Sequence, residues 1–415
     1  MTDAAGDNGA TQRSYANARI LIYSHDTFGL GHLRRCREIA HALVEAYSGV
    51  SVLIISGATI AGAFDYRSRV DFVKIPSVIK LRNGEYTSLE QHIPLADTLN
   101  MRRTIIKHTA ETFKPDIFIV DKEPVGLRGE IEDTLQMLQA AGTRLVLGLR
   151  EVMDAPRLLV REWNDAGTME KVQRYYDTIW VYGPHGFNDP LKGLQVPQSV
   201  QKRMRYTGFL RRQAREFAPA RLGGADFDDY ILVTTGGGGD GEAVIRQVLS
   251  AYASARGPMP PALVTLGPYL PSKAREELKA IGGTLDAVQM IDFDNRLEDL
   301  VAGSSAVVGM AGYNTFCEIL SFDRPSLLLP RTQPREEQLI RAQRASALGL
   351  ATMLLPEQAG DPEVLAEALR ALPGRPRPSQ SGTSMADLGG QARIVADVGE
   401  WLKVDASPNA AAANG

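Results

Sequence analysis

Two histidines, a scatter of carboxylates and three glycine-rich turns are the residues with chemical potential in this chain. SHDTFGLGH, residues 24–32, carries His25, Asp26, Gly29, Gly31 and His32 directly after an apolar run. An imidazole with a pKa near 6.5 suits general-base work at neutral pH. His32 at the start of a helix is the first candidate, and His25 with Asp26 is the runner-up; the bland alternative for each is a hydrogen-bonded structural histidine. FIVDKEPVG places Asp121 and Glu123 at another strand end, to orient a bound hydroxyl or to cap the next helix.

TTGGGGDGEAVI, residues 234–245, runs four glycines together between an apolar run and a helical pattern. Glycine inside regular structure costs about 0.5–1 kcal/mol relative to alanine. Bare backbone in such a turn can bring N–H groups close to an anion, and the following helix adds its positive end. Gly236, Gly237, Gly238 and Gly239 therefore read as a phosphate cradle in preference to a merely permissive turn. No GK[ST] follows, so this is not a Walker loop. GMAGYNTFCEIL repeats the arrangement: Gly312 ends a strand, Asn314 and Thr315 open a helix, and Glu318 follows one turn later. Glu318 reads as a ribose-diol acceptor or as an ordinary first-turn carboxylate. The Asp292-x-Asp294 pair in IDFDN reads as a helix cap, Asp294 or Asn295, more readily than as a metal site. Arg34, Arg35 and Arg37 read as a solvated helix face.

The elements positioning these residues are legible. ARILIYS, SVLIIS, VDFVKIP, DIFIVD, RLVLGLR and TIWVYG are near-continuous apolar runs, the pattern of strands covered on both faces. Segment 83–112 reads as mostly helical. After residue 228 the alternation restarts with YILVTT, PALVTLG, VQMIDF, AVVGM, SLLLP and TMLL. We expect an α/β chain with two Rossmann-like, doubly wound parallel-sheet domains, at 19–208 and 229–375, joined by a linker at 209–228. Residues 376–404 form a loop and an amphipathic helix that crosses back to the first domain, with disordered tails at 1–18 and 405–415. His185 falls in an inter-domain loop, and Trp163, Trp180 and Trp401 read as core.

Composition narrows the function. The 415 residues are 44% hydrophobic and 23% charged, with net charge -3, which argues against a nucleic-acid partner. Two distant cysteines, Cys36 and Cys317, are no disulfide framework, and neither a secretory leader nor an apolar stretch of membrane-spanning length is present, so a cytoplasmic location is expected.

Together, GLGH, TTGGGGDG and GYNTFCEIL followed by RPSLLLPRTQPREEQLIRAQR resemble the GT-B glycosyltransferases, in particular the MurG-like family 28 enzymes. The resemblance covers residues 19–375. It implies two domains facing across a cleft and a nucleotide-sugar co-substrate, UDP- or GDP-type, with no metal. It implies His32 as general base or acceptor-site histidine, and Gly29 and Gly31 as the acceptor-side turn. Gly236–Gly239, Gly312, Asn314 and Thr315 fall on the donor diphosphate, Glu318 on its ribose, and Gln338, assisted by Glu337, on the sugar. The implied acceptor is a glycan or a lipid-linked hydroxyl, the latter with peripheral contact at the inner membrane face. Val78, Ile79, Lys80, Leu81 and Arg82 are the apolar and basic residues available for that contact, unless they form an ordinary surface loop. This chain departs from the family in having DTFGLGH where GGTGGH is common, and in placing Asp240 beside the diphosphate loop. Transfer is the leading reading. A nucleotide-sugar hydrolase, whose family shares the GLGHLRRCREIA pattern, an epimerase and a non-catalytic nucleotide-sugar sensor are the alternatives.

Overall fold

The computed structural model describes residues 17–25, 30–80, 86–88, 92–214, 229–237, 239–295 and 297–402. Residues 1–16 of the expected N-terminal tail, the whole C-terminal tail, Asp26, Gly29, Leu81, Arg82, Gly238 and most of the expected linker lie outside the described residues, while Ala18, expected in the tail, begins the first strand.

The first domain is built on β1 (Ala18–Ser24), β2 (Val50–Ser56), β3 (Val70–Lys74), the small antiparallel pair β4 (Val78–Lys80) and β5 (Tyr86–Ser88), then β6 (Ile117–Asp121), β7 (Arg144–Arg150), β8 (Thr178–Tyr182) and β9 (Met204–Tyr206). Its seven-stranded sheet is parallel throughout and ordered β3-β2-β1-β6-β7-β8-β9. The second domain carries β10 (Ile231–Thr234), β11 (Ala262–Thr265), β12 (Val288–Ile291), β13 (Ala306–Gly309), β14 (Ser326–Leu328) and β15 (Thr352–Met353), ordered β12-β11-β10-β13-β14-β15 and again parallel. The doubly wound α/β expectation agrees with this architecture.

Strand order dictates where a ligand can sit. The chain winds outward from β1 to β3, then returns to place β6 on the other side of β1. The second sheet does the same around β10 and β13. Such a reversal opens a crevice beyond the carboxyl ends of the two central strands. In the first sheet those ends are Ser24 and Asp121, which are in register. In the second they are Thr234 and Gly309. All three motif turns therefore leave from the switch points.

Three details depart from the sequence reading. The helix expected over 83–112 runs Leu95–Phe113, because Tyr86–Ser88 instead pairs with Val78–Lys80. Val78 is buried in that pairing rather than offered to a membrane surface. Met204–Tyr206, placed in no strand by the sequence reading, forms the edge strand β9. Leu210 then bridges to Gly389, which anchors the start of the expected linker.

The helix Gly390–Trp401 lies on the first domain. Trp401 stacks on Trp180 with centroids 5.5 Å apart, Trp180 Nε1 donates to Asp397 at 2.7 Å, and Tyr47 Oη donates to the Val395 carbonyl at 2.6 Å. The domains meet over an aromatic cluster of Phe187, Phe209, Tyr313 and Phe316, flanked by a buried ion pair between Arg341 and Glu151. Both side chains of that pair are fully buried, so removing one leaves an uncompensated charge. Glu151→Ala is expected to lower stability by about 3–5 kcal/mol in denaturant unfolding. Glu151→Ala with Arg341→Met should recover much of it; a single variant as stable as the parent would show that water reaches the pair.

Candidate active site

Between the domains lies a cleft of about 1770 Å³. Its first-domain wall includes His25, Gly31, His32, Arg35, Glu123 and Arg150. Its second-domain wall includes Gly236, Gly237, Gly239, Gly312, Asn314, Thr315, Glu337 and Gln338. His32 and Gly236, Gly237 and Gly239, two hundred positions apart in sequence, thus share one cavity.

His32 belongs to the first turn of the helix Gly31–Ala46, which starts where β1 ends. Its Nδ1 lies 2.5 Å from Asp121 Oδ2. A carboxylate at that distance fixes the proton on Nδ1, so Nδ1 donates to Asp121 and Nε2 keeps its lone pair. Burial pushes the imidazole down to about 4, against the opposing pull of Asp121. It is therefore neutral, and a competent proton acceptor, across the physiological range. Asp121 neither caps a helix nor reaches for a ligand. Burial works to raise its pKa, but the Arg35 charge and the hydrogen bonds from His32 and Arg35 hold it well below the usual carboxylate range. Arg35 meets it through Nε at 2.8 Å and a second nitrogen at 2.5 Å.

His25 stands beside His32, ring centroids 5.7 Å apart and nearly perpendicular. Burial drives it down to about 3. No carboxylate orients it as Asp121 orients His32: its Nδ1 faces the Tyr23 hydroxyl at 3.4 Å, and that hydroxyl donates to Glu130 at 2.5 Å. Glu123 pairs with Lys122 at 2.9 Å on the cleft wall.

Across the cleft, Gly236 has φ +65, a conformation that favours glycine, and Gly267 packs tightly behind the loop. A Cβ at Gly267 would fall 2.8 Å from the Gly236 and Gly237 backbone, while one at Gly236 would meet nothing within 4 Å. The loop is thus braced from behind and open in front. Gly312 ends β13's turn and caps the helix Tyr313–Ser321 at its N-terminus; space in front of it is also open. The first main-chain N–H groups of this helix have no partner within the helix and, with the helix dipole, favour an anion. Asp240 is not left beside that anion as a bare charge, because Arg331 Nε lies 2.7 Å from it. Arg331 also donates to Glu337 Oε1 at 2.5 Å, and its main-chain N–H to Gln338 Oε1 at 3.2 Å.

Two expected ligand contacts are placed otherwise. Glu318 is wholly buried and lies outside the cleft wall; its carboxylate pairs with Arg34, which also reaches Glu298 at 2.7 Å. The Asn314 side chain is spent between the domains, Nδ2 donating to the Gly31 carbonyl at 3.0 Å and Oδ1 accepting from Arg212 at 2.7 Å. Only its main-chain N–H remains for a phosphate. Arg34 and Arg35 are buried rather than solvated, and Arg37 lies half-buried over the Phe64 ring. Asp292 pairs with Arg275 and Lys279, and Asn295 Nδ2 donates across the cleft to the Ala63 carbonyl at 3.0 Å. Among the described residues no cluster of three or more His, Cys, Asp or Glu is placed to hold a metal ion. His185 is exposed in a loop whose neighbouring Gly186 and Phe187 carbonyls accept from Arg344 of the second domain. Trp180 is core, whereas Trp163, although buried, also borders the cleft. Sequence reasoning missed Arg35 and Arg150, because nothing local distinguishes a cleft guanidinium from a surface one.

Comparison with known proteins bears on the second domain most directly. Residues 231–392 match the glycosyltransferase family 28 C-terminal domain. A stretch of 95 residues is 33% identical to UDP-N-acetylglucosamine–N-acetylmuramyl-(pentapeptide) pyrophosphoryl-undecaprenol N-acetylglucosamine transferase of Lachnospira eligens. It covers 22% of this chain and 27% of that protein, so the chain spans about a quarter of the length of this relative. Among solved structures, Acinetobacter baumannii MurG superposes over 92% of this chain and 99% of its own, with TM-score 0.53 and 12% identity. The glycosyltransferase of kitacinnamycin does so over 94% and 100%, with TM-score 0.61 and 16% identity. At such identities the likeness is one of fold. The chain thus has the two-domain GT-B fold that these structures share, and its residues 231–392 match the glycosyltransferase family 28 C-terminal domain.

Proposed function

We propose that this protein transfers a sugar from a nucleoside-diphosphate donor to an acceptor hydroxyl, inverting the anomeric carbon and using no metal ion. The observation that carries the reading is the neutral, carboxylate-oriented His32 on one side of a cleft whose other side presents glycine turns and a helix N-terminus. The acceptor hydroxyl gives its proton to His32 Nε2 as its oxygen bonds to the anomeric carbon. The bond from that carbon to the leaving diphosphate breaks, and the electron pair stays on the diphosphate. The Gly236 N–H is already given to Thr234 Oγ1, so the main-chain N–H groups of Gly237, Gly239 and the helix start at Tyr313 are the donors offered to that growing charge, the preorganised arrangement that stabilises an anionic leaving group. The family 28 domain supports a nucleotide-sugar donor, and the name of the Lachnospira relative makes a UDP-sugar the first to try. The acceptor is a glycan or a lipid-linked hydroxyl; a lipid carrier would bring the protein to the inner membrane face. Among the described residues no helix is long and apolar enough to cross a membrane.

The deciding assay measures nucleotide release from a panel of UDP- and GDP-sugars with and without added glycan and lipid-linked acceptors. Release that depends on an acceptor is expected; equal release into water alone would overturn transfer. Within that assay, His32→Ala should lower kcat by about 10²–10⁴-fold, the span of general-base catalysis, with donor affinity retained. The rate should hold as pH falls below 6.5 and decline only near pH 4, because burial lowers the pKa at which His32 takes up a proton. An acid limb centred at 6.5 would remove His32 from the role. Gly312→Ala tests the donor side. Its φ of -61 suits any residue and its Cβ would meet no protein atom, so the melting temperature should not move. Nucleotide affinity should fall about tenfold, equivalent to about 1.4 kcal/mol. Unchanged titration calorimetry would place the diphosphate elsewhere.

A further inference from the structure

Arg150, the last residue of β7, is a cleft guanidinium without a carboxylate of its own. Arg34, Arg35, Arg331 and Arg335, which border the same cleft, each hold one. Among the described residues no carboxylate lies within ion-pair distance of Arg150, and its Nε is buried without a hydrogen-bond partner although the side chain borders the cleft. An unpartnered buried donor costs about 1–3 kcal/mol, so the position is held against its own stability. Burial, reinforced by the nearby charges of Arg341 and Arg35, pulls this guanidinium down to about 10, and the charge of Glu337 is the strongest that opposes it. Glu337 has the complementary defect. It is 5% exposed, one carboxylate oxygen accepts from Arg331, and the other, Oε2, is buried with no partner. An orphan donor on the first domain and an orphan acceptor on the second thus border the same cavity, too far apart to pair with each other.

The resemblance already sets Glu337 on the sugar; we propose that Arg150 adds a contact to the transferred sugar from the opposite domain, the guanidinium donating to one hydroxyl oxygen while the free carboxylate oxygen of Glu337 accepts from a hydroxyl proton. The inference rests on the reading of the cleft as a nucleotide-sugar site. It also sets the class of sugar. Hydroxyls supply both a donor and an acceptor, whereas a carboxylate or phosphate there would meet Glu337 as a like charge. The transferred sugar is therefore uncharged at the gripped edge, and Arg150 is a specificity residue.

Titration calorimetry on the full chain decides the matter, comparing UDP with UDP-glucose, UDP-N-acetylglucosamine and UDP-glucuronate, and GDP with GDP-mannose. Arg150→Met and Glu337→Gln should each weaken a neutral nucleotide-sugar at least about tenfold while leaving the free nucleotide unchanged; that unchanged value also reports an intact fold. UDP-glucuronate should bind the parent no better than UDP. If Arg150→Met weakens free and sugar-bearing nucleotide alike, Arg150 is a phosphate contact and the proposal falls. It falls equally if neither variant changes sugar binding, or if UDP-glucuronate binds best. Should no nucleotide bind the parent protein, the donor-site reading itself fails, a result distinguishable from all the others.

Discussion

The Asp121 carboxylate is the group on which the arrangement turns. It sits at the end of a central strand, almost fully buried, where an unpaired negative charge would be untenable. Its two partners, His32 and Arg35, come from one helix at i and i+3, which places them on the same face of that helix. Satisfying one charge therefore fixes the rotation of the helix, the tautomer of His32 and the direction in which Nε2 looks. Arg35 carries the constraint further. Its guanidinium lies over the Tyr182 ring at 5.6 Å and over the Tyr313 ring at 5.3 Å, and Tyr313 is the first residue of the second domain's anion-facing helix. A single carboxylate thus connects His32 to the N-terminus of the helix across the cleft, the two elements that the proposed transfer uses.

The seam between the domains follows the same logic on a larger scale. Arg34 leaves the first domain to meet Glu298 and Glu318, and Arg212 meets Asn314. Two carboxylates share the Arg34 charge. Burial and the neighbouring Glu298 push Glu318 up to about 7, against the pull of Arg34. Buried groups of this kind are costly when half satisfied and specific when fully satisfied. Their role here is positional, because they set the distance between two sheets whose carboxyl ends must converge on one ligand.

The strands and the motif turns were legible in the sequence because their signals are local: an apolar run, then glycines, then a helical period. The two sheets come together as those signals imply, and His32 shares a cavity with Gly236, Gly237 and Gly239. What local pattern could not show is which charges are buried. RRCR in residues 34–37 has the look of a solvated face, yet Arg34 and Arg35 find carboxylates 86 to 284 positions away. Glu318 illustrates the reverse error. A carboxylate one turn into a ligand-facing helix reads as a ribose contact, but Arg34 from the other domain claims it. Met204–Tyr206 escaped notice because three residues carry no period. It is a strand because β8 offers an edge there, not because its own residues demand one.

Asp240 poses the remaining electrostatic question, since an acidic residue at the end of a phosphate-facing glycine loop opposes the ligand it flanks. Arg331 answers it in a way that couples two parts of the site. That one guanidinium reaches Asp240, at the loop, and Glu337, at the start of the helix that faces the sugar position. It carries one positive charge against two negative ones, so the cluster is net negative before any ligand arrives. Under the proposed transfer, a diphosphate would rely on neutral main-chain donors, whose dipoles attract the anion without adding charge to be neutralised when it leaves. Glycine suits such a surface, because a side chain would lie between the donors and the oxygens they must reach.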